Sequence, residues 1–137
     1  MAADILLQIT LSGRFGSLEI AGDGKQSRLM VTARGYIGPH LIRRELAIAH
    51  EFGLARPDGW DYIVDTSGLL WANPLNLFYL RRIPALPNLH NYIVVAPKRW
   101  VRLLVALASP LVRPTEILAA RKPSWQRPDR TGETGSD

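Results

Sequence analysis

The sequence predicts a single α/β domain built on a mixed, mainly parallel sheet of four to six strands with three to four helices. Three observations predict it. Short apolar runs with strand spacing alternate with runs of helical spacing, in the order β-β-α-β-α-β-α-β with room for one more N-terminal strand. The chain has 137 residues, the length of one domain, enough to bury roughly two thirds of its unfolded surface. It is 47% hydrophobic and 21% charged, ordinary for a globular protein, which excludes global disorder. Right-handed crossovers then follow from chain chirality.

The elements are justified in turn. Ile5 to Leu11 is apolar with Gln8 and Thr10 interleaved and reads as a strand or a short edge element, broken by Gly13 and Gly16. Ser17 to Ala21 is a second short strand, and Gly22-Asp23-Gly24 a tight turn. From Arg28 to Tyr36, Leu29, Val31 and Ala33 alternate with Met30, Thr32 and Arg34, so this strand forms a hairpin with the one before it. Gly38-Pro39 opens the clearest helix, because proline at the first helical position needs no amide partner. Ile42, Leu46 and Ala49 fall on one stripe flanked by Leu41, Ile48 and Phe52, with Arg43, Arg44, His50 and Glu51 opposite and Gly53 at the C-terminal cap. After the Arg56-Pro57-Asp58-Gly59 turn, Trp60 to Val64 is a strand that closes at Asp65-Thr66-Ser67-Gly68.

Asn73 is the N-cap of a second helix that runs to about Arg82 and is stopped by Pro84 and Pro87. Tyr92 to Ala96 is a continuous apolar strand, the type buried on both faces. A third helix from about Trp100 to Ala108 is apolar nearly all round, and Thr115 to Ala119 is the last strand. Ala120 to Trp125 adds a helical turn. The domain thus spans residues 1–125, and Gln126 to Asp137 is polar, with Gly, Pro and Thr, and is expected to be a disordered tail whose removal leaves the melting temperature unchanged.

Charge is unevenly placed. The net charge is +5, and from Thr66 to Thr115 there is no acid at all against six bases, Arg81, Arg82, Lys98, Arg99, Arg102 and Arg113. Such asymmetry marks an anionic partner or surface, or a basic face that only adds solubility. No nucleic-acid motif accompanies it: there is no RNP-like aromatic pair, zinc-finger spacing or arginine-rich block, so no specific nucleic-acid partner is expected. Cysteine is absent, which excludes a disulfide framework, a cysteine zinc site and thiol chemistry. His40 and His50 sit on one helix about 15 Å apart and cannot share an ion, and His90 lies in a Pro-rich loop, so no metal is expected. Neither G-x-S-x-G nor a P-loop occurs, and no pair of acids stands out, so neither a catalytic residue nor a cofactor is assigned. The longest apolar run, Val101 to Val112, contains Arg102 and Pro110 and is too short to span a bilayer. With no basic, apolar leader at Met1-Ala2-Ala3-Asp4, a bacterial-type cytoplasmic protein is expected.

The run Leu29-Met30-Val31-Thr32-Ala33-Arg34-Gly35-Tyr36, then a helix, then Tyr62-Ile63-Val64-Asp65-Thr66-Ser67-Gly68-Leu69, resembles a STAS-type domain over about residues 17–125. That family includes anti-sigma-factor antagonists and the cytoplasmic domains of sulphate transporters, and the SpoIIAA-like branch, of regulatory or lipid-related modules, is the most similar. Its phosphorylatable members carry a serine or threonine at the start of the helix after the central strand. Here the matching Trp71-Ala72-Asn73-Pro74-Leu75-Asn76 has no hydroxyl, which implies constitutive rather than phospho-regulated partner binding. Alternatively Asp65-Thr66-Ser67-Gly68 is itself that motif, with Thr66 and Ser67 as acceptors and Pro74 inside the helix at a cost of about 3 kcal/mol.

The resemblance implies a non-catalytic regulatory or interaction module. It would bind a protein partner, a second copy of the chain included, through Asp65, Thr66 and Ser67 and through Asn73, Asn76, Arg81 and Arg82 on the following helix. Without the resemblance, Asp65 to Ser67 is equally a strand-exit turn in which Asp and Ser bond nearby amides. Two alternatives stand beside the protein partner. One is a module for a lipid or an anionic membrane surface, using the acid-free stretch and the apolar third helix, in which Val101, Leu104, Val105 and Ala108 form a stripe that fits packing on the sheet. The other is a small enzyme. A cavity sized for an acyl chain would favour the first, and a cleft with converging polar groups the second. Trp71, Trp100 and Trp125 stand at element ends, as lids over the core or as contacts.

Overall fold

A computed structural model describes residues 5–125. Six strands, β1 (Ile5–Ser12), β2 (Gly16–Asp23), β3 (Arg28–Ile37), β4 (Trp60–Ala72), β5 (Leu89–Val95) and β6 (Glu116–Leu118), lie side by side in chain order in one sheet. The β1–β2 and β2–β3 pairs are antiparallel, and the β3–β4, β4–β5 and β5–β6 pairs are parallel. Helices α1 (Pro39–Leu54), α2 (Leu77–Leu80) and α3 (Arg99–Val112) are the three crossovers. All three step the same way along the sheet, so right-handed connections put them on one face. The expected mixed α/β sheet is therefore present. The tail from Gln126 to Asp137 lies outside the described residues, as does the Met1 to Asp4 leader position.

The strand pattern explains the core. Leu18, Ile20, Leu29, Val31, Tyr62, Tyr92 and Val94 point to the helix face and are buried against Ile42, Leu46, Ala49 and Phe52 of α1 and Val101 of α3. Alternate residues Ile63, Ile93 and Val95 form a smaller cluster on the other face, with Met30, Leu118 and Trp125 packed on it. So β5 is buried on both sides, as its unbroken apolar run requires. Arg121 and Trp125 return over this second face after β6, and the turn expected there is a 3₁₀ turn at Pro123–Trp125.

Several boundaries differ from the sequence expectation. Strand β2 continues to Asp23, whose Oδ1 accepts from the amides of Lys25 and Gln26 at 3.0 and 3.2 Å, so the turn falls at residues 24–27, beyond the expected Gly22-Asp23-Gly24. Gly53 is not the cap of α1 but lies in its last turn. It is there for close approach: a Cβ would stand 2.4 Å from the Pro87 carbonyl oxygen and 2.7 Å from Trp60 Nε1. The Trp60 indole in turn donates to that carbonyl at 2.7 Å. Gly35 has φ +75, and a Cβ there would stand 2.5 Å from the Phe15 carbonyl oxygen. The second helix is not continuous over Asn73–Arg82. It is a 3₁₀ turn at Pro74–Asn76, the single turn α2, and another 3₁₀ turn at Ile83–Ala85. Pro84 cannot serve the interior of a longer helix. Helix α3 runs past Ala108 to Val112 with Pro110 inside it. Pro110 has no N–H for the Ala106 carbonyl, and the Ser109 hydroxyl donates to that oxygen instead at 2.8 Å.

The largest difference is in β4. Asp65-Thr66-Ser67-Gly68, expected as the turn that closes the strand, is strand, and pairing with β3 continues to Ile37↔Ala72. The register shifts between Thr32/Arg34 and Gly35/Tyr36, because β4 carries extra residues there. These bulges break the alternation that would have marked a long strand.

Candidate functional site

A cavity of about 300 Å³ lies between the helix face of the sheet and the helical layer. Val64, Leu69 and Val94 form its floor, Ile42 and Glu45 of α1 one wall, and Val101, Val105 and Ala108 of α3 the other. Trp71, Leu77, Trp100 and Leu104 line its exposed side. Two features of the sequence leave it hollow. The middle crossover is broken by prolines into a single helical turn with no buried residue, so the sheet is thinly covered between α1 and α3. Ala33, Ala72 and Ala108 face the space where larger side chains would fill it. Its volume is at the lower end of the range for small-molecule sites, and its lining, mostly apolar with a few polar groups, is the usual composition of such sites.

The polar groups come from four elements. Glu45 is 2% exposed and its carboxylate accepts a short hydrogen bond from the Tyr62 hydroxyl. Burial pushes the Glu45 carboxyl up to about 7, against the opposing effect of the Tyr62 hydrogen bond. Burial and the neighbouring Glu45 push the Tyr62 and Tyr92 phenols up. Phe52, Trp60, Tyr62 and Tyr92 form an aromatic row with successive centroids 5.5, 5.5 and 5.4 Å apart, which fixes Tyr62 under α1. Thr66 donates its hydroxyl to the Val95 carbonyl at 2.8 Å. Asn73 caps the 3₁₀ turn by accepting from Leu75 N at 2.9 Å, and Asn76 donates Nδ2 to the Ile37 carbonyl at 3.2 Å.

Of the residues expected to bind a protein partner, Thr66, Asn73 and Asn76 are thus brought together around this cavity. The others are elsewhere. Asp65 is 3% exposed on the opposite face of the sheet. Its Oδ1 accepts from the Ser67 amide and hydroxyl at 2.8 and 2.6 Å, and its Oδ2 pairs with Arg121, which also reaches the Thr32 hydroxyl. Burial pushes the Asp65 carboxyl up, but the Ser67 bonds and the Arg121 guanidinium outweigh it and hold the group below its ordinary 3.8. As fallback phosphate acceptors, Thr66 has its hydroxyl buried on a carbonyl, and Ser67 has its hydroxyl against a carboxylate that would repel a phosphate. Arg81 and Arg82 are on the surface, stacked over Phe78 and Tyr79.

No known protein family and no curated protein matches this chain.

Glu45, Tyr62 and Tyr92 were not singled out from the sequence. The signal for Glu45 was present: it lies three residues after Ile42 and four before Ala49, on the buried stripe of α1. Helix α3 also departs from expectation. Val101 is buried and Val105 and Ala108 are half-buried, but Leu104 is exposed, as are Leu103, Leu107 and Leu111, with Leu107 at 72%. Leu75 and Phe78 of the middle crossover are exposed as well. Exposed apolar side chains thus recur on both α3 and the middle crossover. Among the described residues no helix is long and apolar enough to cross a membrane, and no cluster of three His, Cys, Asp or Glu side chains occurs.

Proposed function

We propose that this protein is a non-catalytic module of STAS-like fold that binds one apolar or amphiphilic small molecule in the cavity between its helices and its sheet. The observation that carries this function is the cavity itself: about 300 Å³, walled by valine, leucine, isoleucine and alanine side chains and bordered by Trp71 and Trp100. The order of strands and helices supports the STAS-like resemblance. Titration with N-phenylnaphthylamine, a neutral fluorophore that brightens in apolar surroundings, tests it. Saturable binding at one site per chain is expected in the wild type, and loss of that binding in Ala108→Phe, which fills the space from α3. Non-saturable binding, or equal binding by the filled variant, would reject it.

A second function is favoured by the exposed apolar face of α3. Trp100, Leu103, Leu107 and Leu111 are flanked by Arg99, Arg102 and Arg113, and among the described residues no carboxylate pairs with those arginines. A shallow depression between Arg99, Trp100, Arg102 and Leu103 shares Trp100 with the cavity lining. The occupant that complements both the apolar and the cationic parts is an anionic lipid surface, from which the cavity would be loaded. Co-sedimentation with phosphatidylglycerol vesicles, weakened by salt and absent with neutral vesicles, is the expected result. Self-association through this face without vesicle binding would assign it to a second copy instead.

A further inference from the structure

The polar groups around the cavity are unequal in kind. Among the described residues its lining includes no lysine, arginine or histidine. The Asn76 amide is oriented by its bond to the Ile37 carbonyl, where only the NH₂ end is able to donate. Its Oδ1 is therefore an acceptor, and it is buried without a partner in a residue 4% exposed. A buried polar atom without a partner is uncommon, and Asn76 is among the residues that line the cavity. The Thr66 proton is committed to the Val95 carbonyl, which leaves that oxygen an acceptor too. Glu45 adds a carboxylate held by one hydroxyl. The side-chain donors on the lining are neutral ones, the Tyr92 hydroxyl, the Asn73 amide and the indoles of Trp71 and Trp100. A ligand bearing a carboxylate or phosphate would bring a dehydrated anion beside acceptor oxygens with no cation to offset it. A hydroxyl head both donates and accepts, and needs none.

We infer that the ligand of this cavity is a neutral amphiphile with a hydrogen-bond-donating head, a long-chain alcohol in the simplest case, and not a fatty-acid anion. This rests on the ligand-binding function above, and Glu45 and Asn76 are its specificity-determining residues.

The test is competition of decanol and decanoate against N-phenylnaphthylamine at about pH 8.5, where Glu45 and the fatty acid are both ionised. In the wild type decanol is expected to displace the probe at least about tenfold more effectively than decanoate, the cost of leaving buried acceptors unmatched. In Glu45→Gln the difference shrinks toward about twofold, because decanoate improves. In Asn76→Leu decanol weakens about fivefold while decane is unchanged. The wild-type comparison needs no variant to fold. Probe binding that saturates, with decanoate as strong as decanol, overturns the inference and leaves the cavity's binding function standing. Absence of saturable binding by the probe and by both competitors overturns both.

Discussion

Glu45 makes stability fall as pH rises through neutrality, and the size of the fall follows from its burial. In the unfolded chain its carboxyl titrates near its ordinary 4.5, and in the folded protein near 7. Below pH 4.5 both states hold the proton. Between 4.5 and 7 the folded state keeps a proton that the unfolded state releases, so unfolding is favoured progressively as pH rises. A carboxyl displaced this far corresponds to about 3 kcal/mol, stability fully present below the lower value and lost above the upper one. Glu45→Gln keeps the shape and an acceptor for the Tyr62 hydroxyl but cannot ionise. Urea unfolding followed by tryptophan fluorescence should show the variant gaining about 3 kcal/mol on the wild type between about pH 4.5 and about pH 8. Parallel stability curves from pH 4.5 to 8 would refute the placement of Glu45 in a dry pocket.

Gly53→Ala should destabilise by about 2 kcal/mol or more in the same urea assay, because its Cβ meets the Pro87 carbonyl and the Trp60 ring. Arg121→Ala should cost about 1 kcal/mol, since the guanidinium is partly solvated. It should also raise the pH of acid unfolding, because Asp65 is held below 3.8 and its contribution is lost as pH falls through its folded value. Leu107→Glu should leave the thermal midpoint within a degree or two, as expected for an exposed site, yet abolish vesicle co-sedimentation. A neutral ligand at a hundred times its Kd should raise unfolding free energy by about 2.7 kcal/mol, with no such gain in Ala108→Phe.

The element order was legible because apolar spacing changes sharply between strands and helices, and α1 and β5 in particular carry patterns that only one structure satisfies. The end of β4 was not. Asp65, Thr66, Ser67 and Gly68 are all turn formers, and pairing with β3 out to Ala72 overrides that preference through two bulges that hide the alternation. The Asn73 cap was legible from its position before Pro74, but the length of the helix after it was not, because Pro84 acts before the spacing of Leu77 and Leu80 extends into a second turn. Thr66, Asn73 and Asn76, singled out as a docking surface, line a cavity. A cavity is a volume missing between three distant segments, and no local pattern records it. Glu45 was visible on a buried stripe, but a carboxylate there gains meaning only when Tyr62 is seen beneath it.

Methyl NMR of the wild-type protein titrated with N-phenylnaphthylamine tests the cavity's role most directly, because it reports where the ligand sits as well as whether it binds. Shifts should concentrate on Val64, Leu69, Val94 and Val105, saturate at one equivalent, and disappear in Ala108→Phe. Shifts confined to the exposed Leu103, Leu107 and Leu111, with the cavity methyls unmoved, would contradict it.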